Sequence, residues 1–425
     1  MERSRVEIVN PLDVQEARAW LRSMLGVFLQ DPDTPALDRW TKVVARTWEP
    51  ERAWGARDRG RWVATLRTEA RTLTVPGPDQ ATRDLRADAL TNVTVSATHR
   101  RQGLMSRMLG GSLAAARDRG DAVSILISAE WPIYGRFGYA PATWSADYVV
   151  HRNRLGAVAA TSPSCVRASD AKEIAAVGAD VFDAFRRRWV GQVDRDQRWW
   201  NIRLGQDGFP APTPDDGLPH NWIVHEGDGG VDGILGWRAT RHGGLNPPGG
   251  RAKVWGLFAA NDAADQDLWT YLCGIDLIDE IELTQRPVEE PARWLLADGR
   301  SLVLEDRNDF LWLRLLDAPA ALTARDYAID GELVLDVRDD ATATEIDVGG
   351  RYALRAGDDG VECERTNRDA DLELTQRALA SIFLGGVRPA ELVGSGAVTE
   401  RATGALERAR LMFSTPHPPW NPTSF

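Results

Sequence analysis

The sequence predicts an α/β protein that continues into an α+β region towards its C-terminal end. Residues 122–128 form a near-continuous apolar run, which is typical of a strand buried on both faces of a sheet. A strand, a loop and a helix follow one another at residues 93–117, and the same layout returns at residues 253–277. From residue 301 onward short strands dominate, and helices close the chain.

Length and charge set the broad class. The 425 residues are too many for one compact core and predict about two to four domains. The 51 Lys and Arg against 62 Asp and Glu give a formal net charge of −11. This argues against nucleic acid as a partner, since phosphate contacts need a basic face. An acidic surface can instead attract cationic substrates.

Cysteine usage and the N-terminus predict a cytoplasmic protein. Cys165, Cys273 and Cys363 lie far apart, and no CxxC or Cys/His motif occurs, so the sequence predicts no metal site and no disulfide framework. The N-terminal residues lack an apolar signal segment, and no run of about 18 apolar residues occurs anywhere. We therefore expect neither export nor a membrane partner.

The first region alternates between the helical period and the strand period. It predicts helices at 11–30, 36–47 and 103–117, and strands at 53–57, 61–67, 71–75, 90–95, 122–128 and 144–150. This is a mixed sheet with helices on both faces.

A second region repeats this layout without its arginines. A helix is predicted at 171–188, a proline-rich loop at 206–220, and a hairpin from strands at 222–225 and 234–239. The following strand at 253–259 and helix at 264–277 are joined by a loop with neither arginine nor glycine. Asp262 and Asp265 stand where an anion would bind, so we expect a copy without a phosphate site.

The third region is α+β. Strands are predicted at 311–316, 331–337, 343–348, 351–356 and 360–365, followed by helices at 374–384, 388–391 and 400–413. Four prolines make residues 414–425 an extended tail that ends at Phe425.

The stretch from Val93 to Met105 predicts an anion site. An alternating strand leads into a loop of basic and small residues, and a helix begins directly after it. The N–H groups of a first helical turn have no intrahelical partners and lie at the positive end of the helix dipole. The natural ligand of such a turn is a phosphate or pyrophosphate.

Two sequence motifs identify the family that this chain resembles. Residues 100–105 (RRQGLM) resemble the acetyl-coenzyme A signature of the GNAT superfamily of N-acetyltransferases, although the sixth position is Met105 instead of a small residue. Residues 99–104 (HRRQGL) followed by residues 133–143 (IYGRFGYAPAT) closely resemble the Eis (enhanced intracellular survival) acetyltransferases. The resemblance covers the whole chain.

The resemblance implies tandem GNAT-fold domains and a third domain. An active GNAT domain is expected at residues 1–152 and a degenerate GNAT-like domain at residues 153–299. Residues 300–425 are expected to form a sterol-carrier-protein-like α+β domain, with its C-terminal tail returning to the active site. The resemblance also implies a homo-hexamer built from trimers.

The resemblance assigns acetyl-CoA to the anion site. Strand residues would pair with the pantetheine arm, loop N–H groups would hold the pyrophosphate, and the end of the neighbouring strand would admit the thioester. The residues expected to bind the co-substrate are Val93, Thr94, Val95, Arg101, Gln102, Gly103, Leu104, Met105, Ser106, Ala129 and Glu130.

Two residues receive catalytic roles from the resemblance. Tyr134 is the expected general acid, and a tyrosine pKa of roughly 10 suits a thiolate leaving group of pKa roughly 8–9. The carboxylate of Phe425 is the expected general base; its ordinary pKa of roughly 3.5 must be raised by burial, or a water must relay the proton. The alternatives are a core aromatic at Tyr134 and a frayed tail at Phe425.

The acyl acceptor is the least constrained part of the prediction. By resemblance its pocket uses Phe28, Asp31, Asp33 and Trp40, which would offer aromatic walls and carboxylates to a cationic amine. Phe28 and Trp40 could instead be helix-packing residues. The residue beside Phe425 is not acidic, whereas the best-known family members carry an acid there, and this weakens the prediction of aminoglycoside activity.

The sequence therefore predicts an acetyl-CoA-dependent N-acetyltransferase that transfers acetyl directly to a primary amine of an aminoglycoside-like compound, a polyamine or a lysine. One alternative is an acyltransferase with another donor or acceptor. The other is a non-catalytic protein that binds coenzyme A or a lipid, and it would need neither Tyr134 nor Phe425.

Overall fold

The computed structural model describes residues 6–30, 35–155, 165–212, 217–245 and 248–425. The chain divides into two compact units. The first comprises residues 1–143, 310–416 and 424–425, and the second comprises residues 144–309 and 417–423. Strands and helices are numbered in chain order.

The first unit contains two sheets, one of seven strands and one of five. In spatial order the large sheet consists of β1 (Glu7–Val9), β2 (Ala53–Asp58), β3 (Arg61–Pro76), β4 (Thr82–Val95), β5 (Val123–Ile127), β14 (Leu311–Leu315) and β6 (Ala140–Pro141). Its helices are α1 (Ala17–Val27), α2 (Pro35–Thr47), α3 (Leu104–Asp118) and α4 (Trp131–Tyr134). Among the described strands of this sheet, β4 and β5 are the one parallel pair.

The small sheet belongs to the C-terminal region. In spatial order it consists of β17 (Gly360–Arg365), β16 (Gly350–Gly357), β15 (Gly331–Arg338), β18 (Leu372–Thr375) and β19 (Val398–Glu400). The helices α8 (Ala318–Thr323), α9 (Gln376–Ile382) and α10 (Ala405–Phe413) accompany it. This is the α+β region that the sequence predicts.

The second unit repeats the large sheet. In spatial order its strands are β13 (Leu302–Asp309), β7 (Trp144–His151), β12 (Glu280–Arg286), β11 (Pro248–Ala259), β10 (Gly230–Leu245), β9 (Asn221–Gly227) and β8 (Val166–Ser169). The helices are α5 (Ala171–Arg186), α6 (Gln197–Leu204) and α7 (Asp262–Gly274). Here too a single pair, β11 and β12, is parallel.

The two large sheets have exchanged one strand. The strand predicted at 144–150 as the end of the first region is β7, which lies in the second sheet between β12 and β13. The strand predicted at 311–316 in the third region is β14, which lies in the first sheet between β5 and β6. The domain bounds at residues 152 and 299 stay a prediction.

Two further expectations need correction. The strands predicted at 61–67, 71–75 and 90–95 are parts of the longer strands β3 and β4, which pair along most of their length. The strand predicted at 343–348 is irregular chain. Its buried Ile346 accepts a hydrogen bond from the Arg314 guanidinium through its main-chain oxygen, at 2.7 Å, so it is satisfied without a strand partner.

Within the described residues, none of the helices combines the length and the apolar character needed to cross a bilayer.

Candidate active site

The site begins where the parallel strands β4 and β5 part. Their pairing runs from Ala87 opposite Val123 to Leu90 opposite Leu126, and β4 then continues to Val95. Within the part of the chain that the structure describes, no strand pairs with residues 91–95 on the β5 side. Their main-chain polar groups on that side are therefore available to a ligand that binds as an extra strand.

A β-bulge shapes this opening. The pairing of β4 with β3 shifts register between Thr65 and Arg67, and Asn92 has a left-handed φ of 54°. The hydroxyl of Thr65 holds the bulge by donating to the main-chain oxygen of Asn92 at 2.8 Å, and it lies 2.6 Å from the Thr94 hydroxyl. The bulge bends β4 and redirects the side chains that follow it.

The predicted anion loop connects β4 to α3. Arg101 and Gly103 have left-handed φ values of 62° and 72°, and α3 begins directly afterwards at Leu104. Among the described residues, no side chain caps the helix at Gly103, and a Cβ added there would have no atom within 4 Å. The first-turn N–H groups are thus left uncapped, as an anion site requires.

The predicted loop residues divide by exposure. Arg101, Gln102 and Gly103 are exposed, whereas Leu104 is buried beneath the helix. His99 links the loop to the β2–β3 hairpin, because its Nε2 lies 3.3 Å from the carboxylate of Asp58. Leu104 can therefore contribute only its main chain to a ligand, while Arg101 and Gln102 can contribute side chains.

Tyr134 is the last residue of α4, the helix that follows β5 in the chain. Its side chain is buried and packs edge-on against Tyr139, with ring centroids 6.1 Å apart. Burial, together with the charge of Glu130, raises the pKa of Tyr134 to about 12. Among the described residues, its hydroxyl forms no hydrogen bond. Ala129 and Glu130 are exposed in the link between β5 and α4.

The conformation at Gly138 requires the glycine that follows Phe137 in the motif at residues 133–143. Gly138 has φ 83°, and a Cβ there would collide with the Gln376 amide nitrogen and lie 2.9 Å from a nitrogen of Arg314. The tight turn brings Tyr139 beneath the sheet, where its hydroxyl lies 2.6 Å from that of Ser124. Tyr139 is therefore structural, and it supports Tyr134 by ring contact.

The last residue of the chain reaches the same opening. The Thr91 hydroxyl donates to a main-chain carboxyl oxygen of Phe425 at 2.9 Å, and Phe425 is half-buried. Thr91 directly follows Leu90, the final β4 residue paired with β5. The Phe425 carboxyl group thus lies where the two strands begin to part.

The preceding tail residues are docked within the second unit. Trp420, Asn421 and Thr423 are at most 1% exposed. Arg195 donates to the Thr423 hydroxyl at 3.0 Å and to the main-chain oxygen of Pro422 at 2.9 Å. The expectation of a docked tail in place of a frayed one is confirmed.

Two of the four predicted acceptor residues, Phe28 and Trp40, lie in the described part of the chain. Phe28, at the C-terminal end of α1, is 46% exposed. Trp40 packs partly buried against the α1–α2 core, and the Arg39 guanidinium lies 5.0 Å from its ring centroid. This is the helix-packing arrangement. Asp31 and Asp33 lie outside the described residues.

A cavity of about 810 Å³ adjoins the anion loop. It lies between α1, the β2–β3 turn and loop residues 96–100, and its lining includes Arg22, Arg61 and Arg100. Cations on three separate segments favour an anionic ligand over an amine. This cavity was not predicted from the sequence, because its three arginines lie on segments that are far apart in the chain.

Comparison with protein families defines the class. Residues 9–142 and 191–315 each match an acetyltransferase (GNAT) domain family, and residues 318–422 match the sterol carrier protein domain family. The chain is an acyltransferase with two GNAT domains and a sterol-carrier-protein-like domain, as the sequence analysis predicts.

Whole-chain relatives define the family. An uncharacterized N-acetyltransferase of Streptomyces griseus is 38% identical over 98% of this chain and 99% of its own length. The N-acetyltransferase Eis of Mycobacterium tuberculosis is 31% identical over 81% of both chains. The crystal structure of Eis1 from Mycobacterium abscessus superposes with a TM-score of 0.81 at 26% identity, covering 99% of this chain and all of that one. This chain belongs to the Eis-like N-acetyltransferases of the GNAT superfamily.

Proposed function

We propose that this chain transfers acetyl from acetyl-CoA directly to a primary amine. The observation that carries the proposal is the convergence on one opening: the unpaired edge of β4 and the Phe425 carboxyl group are at the same place. Tyr134 ends α4, and that helix follows β5, the other strand of the opening, after a link of three residues.

The co-substrate would bind as the sequence predicts. Val93, Thr94 and Val95 would pair with the pantetheine amides in β-fashion. The N–H groups from Arg101 to Ser106 would hold the pyrophosphate, and the arginine-lined cavity beside them would take anionic groups of the nucleotide. Ala129 and Glu130 would flank the thioester at the end of β5.

The chemistry is a single displacement. The acceptor ammonium loses a proton to the Phe425 carboxylate, and the free amine forms a C–N bond with the thioester carbon. The C–S bond then breaks, and the departing thiolate takes the proton of the Tyr134 hydroxyl, which the surplus proton of the new amide nitrogen restores. A tyrosine of pKa about 12 stays protonated until that moment. Desolvation also raises the pKa of a thiol at the same place, so the pKa values of the coenzyme thiol and the Tyr134 hydroxyl change in the same direction.

The acceptor class is a small cationic amine, namely a polyamine, an aminoglycoside-like compound or a lysine. The net charge of −11 supports a cation. Phe28 remains available as an exposed aromatic wall. A homo-hexamer, implied by the family resemblance, would be tested by sedimentation of the full chain.

Thiol release from acetyl-CoA tests the proposal. The full chain would be assayed with aminoglycosides, polyamines and lysine peptides, alongside Tyr134→Phe. Release with at least one amine, and an acetylated product of matching mass, is the expected result. Coenzyme binding without release for any amine would favour a protein that only binds coenzyme A.

A further inference from the structure

A cluster of metal-binding side chains lies in the second unit, outside the groups used above. It contains Cys165, directly before β8, His225 on β9 and Asp267 on α7. One ligand atom from each lies within 4.8 Å of the other two. His225 is buried, and the other two are half-buried.

The distances are close to those of a zinc centre. Asp267 Oδ2 lies 2.8 Å from Cys165 Sγ and 3.2 Å from His225 Nε2. Tetrahedral Zn²⁺ with bonds of about 2.0–2.3 Å separates its ligand atoms by about 3.3–3.5 Å. To admit the ion, the sulfur–oxygen contact would lengthen by about 0.7 Å, the nitrogen–oxygen contact by about 0.1 Å, and the sulfur–nitrogen distance would shorten by about an ångström or less.

A second layer of polar groups orients the histidine. Asp232 Oδ1 lies 2.5 Å from His225 Nδ1, and Asn261 donates to the other Asp232 oxygen at 2.7 Å. With Nδ1 bound to a carboxylate, Nε2 is the nitrogen directed at Cys165 and Asp267. A carboxylate on the far nitrogen is the usual arrangement behind a metal-bound histidine.

We propose that Cys165, His225 and Asp267 bind one Zn²⁺ ion, with water as the fourth ligand. Thiolate, imidazole and carboxylate together suit zinc better than the hard cations Mg²⁺ or Ca²⁺. Binding replaces the Cys165 thiol proton, which is released to solvent. The ion would join the start of the edge strand β8 to β9 and α7, so its role is structural.

One competing explanation is a hydrogen-bonded cluster without a metal. The contact with Asp267 raises the pKa of the Cys165 thiol, which agrees with a protonated sulfur donating to that carboxylate when no cation is bound. Cobalt separates the two cases, because only a thiolate bound to Co²⁺ gives an intense near-ultraviolet charge-transfer band.

The full chain would be titrated with Co²⁺ and then with Zn²⁺ against a chromophoric chelator. We expect one ion per chain, a thiolate charge-transfer band, and its loss on displacement by Zn²⁺. Cys165→Ser should abolish the band, whereas Cys363→Ser, which changes a cysteine elsewhere in the chain, should retain it. Absence of the band in the wild-type chain, or its persistence in Cys165→Ser, would overturn the site.

A variant that keeps all three proposed ligands distinguishes a weakened metal site from a folding defect. Asp232→Asn should lower Zn²⁺ affinity about 10–100-fold, the usual effect of a partner behind the metal ligand. Added Zn²⁺ should also raise the Tm of the wild-type chain and leave that of Cys165→Ser unchanged. Equal affinity in Asp232→Asn and wild type would contradict the proposed geometry.

Discussion

The parallel junctions of the two large sheets have the same construction and different contents. In the first, β4 continues for five residues beyond Leu90, its last residue paired with β5. In the second, β11 continues for five residues beyond Val254, its last residue paired with β12. Both strands carry a register irregularity just after that point. The backbone geometry of the opening beside β4 is therefore present twice.

The second opening is filled by the protein itself. The Arg286 guanidinium donates to the main-chain oxygen of Leu257 on β11, at 3.4 Å. The Trp420 indole donates to the oxygen of Gln285 at 2.8 Å and lies 5.2 Å from the Arg286 guanidinium. The Arg286 side chain thus bonds to a main-chain oxygen of β11 in the stretch beyond its pairing with β12.

The helices that follow β4 and β11 also differ at their N-termini. The α3 N-terminus has Gly103 and no side-chain cap, whereas the Asn261 side chain accepts from the Ala264 N–H and caps α7. Asp262 and Asp265 add negative charge there. A fold element can thus keep its shape after losing its ligand, because side chains take over the unsatisfied backbone groups.

Removal of the proposed acid tests whether the first junction alone is catalytic. Tyr134→Phe should lower kcat by about 10²–10⁴-fold with little change in the KM for acetyl-CoA, because the hydroxyl acts on the leaving thiolate. Tyr139→Phe is the matched control, since it removes a buried hydroxyl bonded to Ser124 and should keep kcat. In the wild type, a pKa near 12 predicts no alkaline decline from this group up to about pH 10. Normal turnover in Tyr134→Phe would place the chemistry elsewhere.

Extension of the tail tests the proposed base. Two residues added after Phe425 should lower turnover about 100-fold, because the carboxylate is moved away from Thr91. Acetyl-CoA affinity should change little, and this can be measured by isothermal titration. A C-terminally tagged chain with full activity would exclude the carboxylate as the base.

Charge at the first helix terminus should control co-substrate binding. Arg101→Ala should raise the KM for acetyl-CoA about tenfold, the typical value of one charge-assisted hydrogen bond. Thermal stability should stay near that of wild type, since Arg101 is exposed. A KM unchanged at low salt would show that this loop does not hold the pyrophosphate.

A change at the N-terminus of α7 should lower stability and leave catalysis unaffected. Asn261→Ala should lower the free energy of unfolding by about 1 kcal/mol through the lost cap, with kcat and KM unchanged. Urea denaturation and thiol release on the same preparation measure both. Any change in KM for acetyl-CoA would mean that the second junction participates in co-substrate binding.

The sequence was most informative where local chemistry is decisive. The helix that begins after the loop at residues 96–103 and the helix that begins after residues 260–261 each follow from a few adjacent residues, and the structure has α3 and α7 at these places. The left-handed Arg101 could not be predicted, because that conformation is rare outside glycine and depends on the completed loop.

Long-range pairing was beyond the sequence patterns. The apolar alternation of β7 and β14 indicates a strand but carries no information about its neighbours, so their exchange went unnoticed. The expected strand at 343–348 failed because buried Ile346 and Val348 satisfy the apolar pattern from irregular chain. The expectation of no metal site used local motifs, whereas Cys165 and Asp267 are 102 positions apart.

The exchanged strand β14 has a consequence for synthesis. A ribosome that has completed residue 152 has made every strand of the first sheet except the one between β5 and β6. Until residues 311–315 emerge, buried β5 is an open apolar edge, which is the feature of a nascent chain that invites aggregation or chaperone binding. A gene fragment ending at residue 152 would encode the same unfinished sheet permanently.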